Sequence, residues 1–176
     1  MSGFGNSRTR PHEGPMPDPL AFFITWTTYG TWLPGDERGW VKRGHGILPA
    51  DPIAKREAEA RMTEDACILD KEQRQVVETT IADHCQIRGW ELHAVNCRTN
   101  HVHVVVSANR DPDEVREQFK AWCTRRLKQL ERLRAADSGK PGAEIRENWW
   151  TERGSRHYLG DEESLEAAVL YVRDGQ

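Results

Sequence analysis

Strand-forming and helix-forming stretches follow one another in the order β, α, β, β, α, β, with one more helix at the end. This order predicts an α+β fold: a ferredoxin-like βαββαβ sandwich with an antiparallel sheet, plus a C-terminal helix carrying a tyrosine. Three observations carry the prediction. Residues 20–29, LAFFITWTTY, are dense in β-branched and aromatic residues. Residues 90–98 and 101–107 are two strand-like runs separated only by a short turn at Arg98-Thr99-Asn100, as in a hairpin. Helical periodicity flanks that hairpin on both sides.

The elements follow in chain order. Residues 1–19 are polar, lack the apolar centre of a signal peptide and read as a flexible tail ahead of one domain, 20–176. Residues 30–52 are rich in Gly and Pro and read as a long loop, a feature that is usually functional or mobile. Residues 53–64 are charged and suit an exposed helix. Asp70 with Gln73 forms a capping-box pattern, and Val77, Ile81 and Cys85 recur at helical spacing until Gly89. Asp111-Pro112 opens a long helix with an N-cap and a proline in its first turn. Val115, Phe119, Trp122, Leu127, Leu130 and Leu133 line one side of it, and Arg116, Lys120, Arg125, Lys128 and Arg132 line much of the other. Short β-like pieces surround Gly154, and Asp161 caps the last helix.

Composition narrows the function classes. The chain has 176 residues and 30% charged residues, enough for one soluble domain with a core. No apolar run approaches the ~20 residues of a membrane span, which leaves a cytoplasmic location and no membrane partner as the expectation. Cys67, Cys85, Cys97 and Cys123 form no C-x-x-C pair and read as reduced, mostly buried thiols. The net charge of −3 gives no global basic field, so an anion-binding surface has to be local.

The chemistry concentrates in "RTNHVHVVVSANR", residues 98–110. Side chains alternate along a strand, so His101 and His103 share one face and Val102 and Val104 the other. The valines can enter a core while both imidazoles lie on the open face of the sheet, where two neutral rings can converge on a divalent cation. An H-x-H pair alone is more often two ordinary half-exposed histidines. Tyr171 stands on the last helix with Ser164, Ala167 and Ala168 on adjoining positions of one side. Small residues there let a helix sit close to a surface; the plain alternative is a boundary tyrosine in an amphipathic helix.

In these segments the chain resembles the single-tyrosine HUH transposases that act on single-stranded DNA, with the REP-associated tyrosine transposases as the nearest branch. N-H-V-H-V-V-V resembles their His-hydrophobic-His signature. "ITWTTYGTWLPGDERGWV" is similar to their first strand and loop, "WELHAVNCRTNHVHVVV" to their central hairpin, and "NWWTERGSRHYL" with "DEESLEAAVLYVRDGQ" to their last strand and tyrosine helix. The resemblance covers residues 20–176 and implies a catalytic domain there. It implies that His101 and His103 hold Mg²⁺ or Mn²⁺ and that Tyr171 is the nucleophile. It also implies cleavage and rejoining of hairpin-flanked single-stranded DNA through a 5′-phosphotyrosine, by a monomer or a homodimer. Relatives carry a glutamine or similar residue one turn after the tyrosine. Here Gly175 stands four residues on, which leaves Gln176, then Asp174, as third ligand.

Arg116, Lys120, Arg125, Lys128 and Arg132 are expected to form a basic stripe for DNA phosphates, and Arg38, Lys42, Arg43 and His45 of the long loop to meet the hairpin or its flanking bases. Trp32, Trp40, Trp149 and Trp150 are stacking candidates, against a default of core packing; His93 is read as structural. The competing readings are a catalytically inactive or domesticated nucleic-acid-binding protein on the same fold, an RNA-binding module, and another HUH nuclease. The intact His101, His103 and Tyr171, the missing aromatic signature of RNA binders, and the matches outside the histidine motif weigh against them in turn.

Overall fold

The computed structural model describes residues 18–42, 44–140 and 142–174. The expected tail lies, through residue 17, outside the described residues, as do Arg43 and Gln176. Four antiparallel strands form the sheet: β1 (Ala21–Thr27), β4 (Glu91–Cys97), β5 (His101–Ser107) and β6 (Ser155–Leu159), in the order β4-β5-β1-β6. With α2 (Lys71–Arg88), α3 (Pro112–Asp137) and α4 (Glu162–Asp174), this is the expected ferredoxin-like arrangement.

Local chemistry explains the element ends. The Asp70 carboxylate accepts from the Gln73 backbone at 2.9 Å and the Gln73 side chain accepts from Asp70 N at 2.9 Å, closing the capping box of α2. That helix stops at Gly89, whose φ of 68° is left-handed. Asp111 caps α3 at Asp113 N, and Asp161 caps α4 at Ser164 N.

The alternation in β5 sorts the molecule into layers. Val102, Val104 and Val106 join Phe22, Ile24 and Trp26 of β1 against α2 and α3, where Val77, Ile81, Phe119 and Leu127 are buried. Each buried valine stabilises this core by about 1.5–3 kcal/mol. The opposite face carries Ala21, Phe23, Val105 and the two histidines. α4 crosses it, burying Ala168 and Val172 against Ala94 and Val105. The small side chains at 167 and 168 allow the approach, and Asn96 Nδ2 holds the helix by donating to the Val172 carbonyl at 3.0 Å. All four cysteines are free and buried, and burial pushes Cys67 up to about 11 and Cys85 and Cys97 to about 12. Among the described residues no helix is long and apolar enough to cross a membrane.

Two expectations need correction. The long loop contains a small hairpin, β2 (Trp40–Lys42) and β3 (Gly46–Leu48), whose turn passes through Gly44 at φ 80°, and it is followed by a shorter helix, α1 (Pro52–Ala60). The basic stripe expected on α3 also loses two of its five members to burial, while Arg125 and Arg132 are exposed. Arg116 is buried and held by Asp113 at 2.7 Å and Glu117 at 3.1 Å. Lys120 is buried, with Nζ donating to the carbonyls of Thr151, Glu152 and Arg153 at 2.9, 3.0 and 3.3 Å and pairing with Glu117. Both long side chains lie over the segment that enters β6, where Gly154 is required. A Cβ on Gly154 would stand 2.2 Å from the Thr25 carbonyl.

Lys120 therefore works as a tie. Burial pulls its ammonium below the ordinary lysine range, against the opposing pull of Glu117. Lys120→Met keeps the apolar stem but removes the partner of three carbonyls and of Glu117, so a loss of about 1–3 kcal/mol is expected in urea unfolding. A change within ~0.5 kcal/mol would mean that water serves those carbonyls equally well.

Candidate active-site cleft

The cleft opens where β5 begins. It encloses about 450 Å³ and is lined by Arg98, Thr99, Asn100, His101, His103 and Tyr171. The histidine rings lie 4.7 Å apart, centre to centre. Each is oriented through Nδ1: His101 Nδ1 is 2.7 Å from Asn100 Oδ1, and His103 Nδ1 is 2.8 Å from Thr25 Oγ1 on the paired strand. Because an amide oxygen only accepts, the His101 bond places a proton on Nδ1.

α4 brings the phenol. The Tyr171 ring lies 5.8 Å from the His103 ring and 5.9 Å from Phe23, both edge-on, and the side chain is about half exposed at 48%. Phe23 is thus the apolar post against which ring and helix rest. The other two tyrosines are elsewhere. Tyr29 Oη accepts from Thr63 N, and Tyr158 sits edge-on to Phe22 on the far face of the sheet.

The cleft's charge is one-sided among the described residues, since none of those that line it is acidic. His103 is 8% exposed, and burial, followed by the electrostatic influence of His101 and Arg98 nearby, lowers it to about 4. It is therefore neutral at physiological pH, the form a metal ligand requires. The stability consequence has a definite sign. In the unfolded chain the ring takes a proton near pH 6.5, while in the fold it does not until about 4, so stability is lost as pH falls through that window. Urea midpoints of the wild type should decline more steeply between pH 7 and 4.5 than those of His103→Asn. Parallel declines would show that the ring titrates normally.

The residues present suit a divalent cation in part. Two imidazoles, each oriented by a hydrogen bond at Nδ1, are the arrangement that metal-binding histidines show. Among the described residues no third His, Cys, Asp or Glu joins them. Asp174, expected as a possible ligand, is exposed and does not line the cleft. Gln176 lies outside the described residues.

The residues expected to bind DNA scatter. α3 packs on the far face of the sheet from the cleft. There Arg125 is exposed over the Trp122 ring, Lys128 pairs with Glu147, and Arg132 lines a separate acidic cavity. Arg38 is half committed: it pairs with Asp36 at 2.7 Å, holding that carboxylate down to about 2, and reaches the Thr31 carbonyl. Its guanidinium also lies 5.4 Å over the exposed Trp32 ring. Lys42 is exposed on β2, and Trp40 bonds to the Pro49 carbonyl. Trp149 and Trp150 belong to the core. His93 is structural, bonded to Ser107 Oγ at 2.8 Å at a bulge of β4. Sequence reasoning missed Thr25, Asn100 and Arg98. The first sits opposite His103 only through strand pairing; the other two flank the histidine motif and were legible as turn residues alone.

A family described as "Transposase IS200 like" matches this chain over residues 61–172. That stretch runs from the end of α1 to α4 and includes both histidines and the tyrosine. Among solved structures, one of a REP-associated tyrosine transposase bound to a REP hairpin is 12% identical, covering 93% of this chain and 70% of that one, with a TM-score of 0.47. A candidate transposase from Deinococcus radiodurans R1 is 12% identical over 98% of this chain and 97% of that one, with a TM-score of 0.46. No curated protein matches.

Proposed function

Because this chain belongs to the IS200-like transposase family, we propose that the cleft is where it cuts and rejoins a single strand of DNA, with Tyr171 as nucleophile. The observation that carries the reading is the meeting of the Tyr171 phenol with the His101–His103 pair in one cleft that no acidic side chain lines among the described residues. A phosphodiester is an anion, and a pocket lined by Arg98, two imidazoles and a phenol accepts it without like-charge repulsion.

The Tyr171 oxygen attacks phosphorus and loses its proton. A P–O bond forms to tyrosine as the bond to the 3′ oxygen breaks, and that oxygen leaves as a 3′-hydroxyl once protonated. The 5′ phosphate stays on Tyr171, so the bond energy is kept and a later 3′-hydroxyl can displace the tyrosine without ATP. His101 and His103 would hold Mg²⁺ or Mn²⁺, which supplies Lewis-acid relief of the charge that builds on the phosphate oxygens. Asn100 and Thr25 are positioning residues that keep the imidazoles turned for that task. Phe23 sets the height of the phenol above the sheet. The reading extends to hairpin-flanked single-stranded DNA through the sequence resemblance. Tyr171 stands beside His103 of its own chain, which supports cleavage within one subunit, as a monomer or in each half of a homodimer.

The test is incubation of the full chain with hairpin-flanked single-stranded DNA, with Mn²⁺ or with EDTA. A protein–DNA adduct that survives a denaturing gel only when Mn²⁺ is present is expected. Strand scission without any adduct would replace the phosphotyrosine route with hydrolysis.

A further inference from the structure

We infer that His157 of β6 holds the DNA strand beside the cleft, donating a hydrogen bond to the phosphate next to the one that Tyr171 attacks. This rests on the reading of the cleft as the site of strand cleavage. Strand register lays out the cleft side of the sheet row by row. Phe23 of β1 stands between Val105 of β5 and His157 of β6, Thr25 stands between His103 and Ser155, and Thr27 stands opposite His101. Beyond Thr27 lies Thr151, whose hydroxyl is 3.1 Å from that of Thr27. Residues directly opposite on neighbouring strands share a face. His157 is therefore on the face of the histidine pair, two strand spacings or roughly 10 Å across from β5.

Ring contacts place the side chain itself. The His157 imidazole lies 6.1 Å from the Phe23 ring, centre to centre, and His103 and Tyr171 lie 5.5 and 5.9 Å from that same ring. One phenyl group thus supports the phenol and has a histidine on each side, from β5 and from β6. The two flanks of the cleft differ. Toward β4, α4 closes the face: Val172 is buried and Asn96 donates to its carbonyl at 3.0 Å. Toward β6, Ser155 and His157 are exposed. A strand whose phosphate meets the phenol has a clear way over β1 in that direction. The floor there is made of hydroxyls, from Thr25, Thr27, Thr151 and Ser155, and these rows carry no acidic side chain, so a phosphate backbone crosses them without like-charge repulsion. The His157 nitrogens have no hydrogen-bond partner among the described residues. Even a neutral imidazole carries one N–H, and donation to an anionic oxygen is of the stronger, charge-assisted kind. Such a contact registers the strand against the phenol without touching the reacting atoms.

The experiment uses the full chain with Mn²⁺ and a pool of hairpin-flanked single-stranded oligonucleotides, from which the cleaved member and its scissile position are sequenced. That oligonucleotide is then made with a single methylphosphonate, which removes one phosphate charge, on either side of the scissile phosphate. Kd is measured for all forms in a Tyr171→Phe background, with His157 intact and with His157→Ala or His157→Gln. His157→Ala should weaken binding about 3- to 10-fold. His157→Gln should recover part of it, because its amide also donates. A methylphosphonate at one flanking position should weaken binding when His157 is present and have little further effect in His157→Ala. With Tyr171 intact, His157→Ala should raise KM for adduct formation and leave the maximal rate within ~2-fold. A histidine that merely props Phe23 would leave both methylphosphonate penalties unchanged, and that result, or wild-type Kd in His157→Ala, overturns the inference. Loss of Mn²⁺ affinity in His157→Ala, read by isothermal titration, overturns it too, since the ring would then serve the metal. The side chain is exposed, so both variants should keep the urea midpoint of the wild type. If the wild type captures no member of the pool, the reading of the cleft fails and takes this inference with it; capture that ignores His157 sinks this inference alone.

Discussion

Tyr171→Phe should lose covalent DNA capture altogether, a fall of at least ~10⁴-fold in adduct formation, while the fold and non-covalent DNA binding persist. The expectation is sharp because the substitution removes one oxygen and nothing else. The phenyl ring left at this position would keep the edge-on packing against Phe23 and His103, and the phenol oxygen has no hydrogen-bond partner among the described residues. Stability should therefore shift by less than ~0.5 kcal/mol. The other two tyrosines give an internal control, since neither Tyr29 nor Tyr158 reaches the cleft. Peptide mapping of a wild-type adduct should find DNA on Tyr171; an adduct on Tyr158, or one that survives in Tyr171→Phe, would place the chemistry on the opposite face of the sheet and dismantle the assignment.

The second large effect concerns the imidazole pair. His101→Ala and His103→Ala should each reduce Mn²⁺-dependent cleavage by about 10²–10³-fold, because Lewis-acid relief of phosphate charge contributes several kcal/mol and each 1.4 kcal/mol is tenfold in rate. Losing the second histidine after the first should add little, since one imidazole no longer makes a site. The two variants should differ in stability. His103 is buried and bonded to Thr25, so its removal leaves a hole and an unmatched hydroxyl, whereas His101 lies at the cleft edge. Isothermal titration with Mn²⁺ separates the explanations: variants that bind Mn²⁺ as the wild type does, yet cannot cleave, would mean that the rings act on the substrate directly.

Much of the site was legible because it is written locally. The alternation in His101–Ser107 put both histidines on one face, and the structure keeps them there, 4.7 Å apart. The cap signals at Asp70, Gly89 and Asp111 mark helix ends where they occur. Burial of individual cations was not legible. On a helical wheel Arg116 and Lys120 look like members of a solvated stripe. They are buried because the segment entering β6 lies over them and offers three carbonyls to Lys120, while Asp113 and Glu117 serve Arg116. Nor was it legible that Arg98 joins the cleft while Arg132 joins an acidic cavity, since both are lone arginines in sequence.

The amino-acid order by itself determined the succession of elements, most of their ends and the face shared by the two imidazoles, because each follows from backbone periodicity and capping within a few residues. Only the tertiary structure decided that α4 lies across the histidine face, that the phenol comes to rest beside His103, and that the cations of α3 lie on the far side of the sheet. Those outcomes depend on which apolar surfaces bury one another. Val105 and Ala94 meet Ala168 and Val172 across a long stretch of chain, and no local pattern encodes that choice of partner.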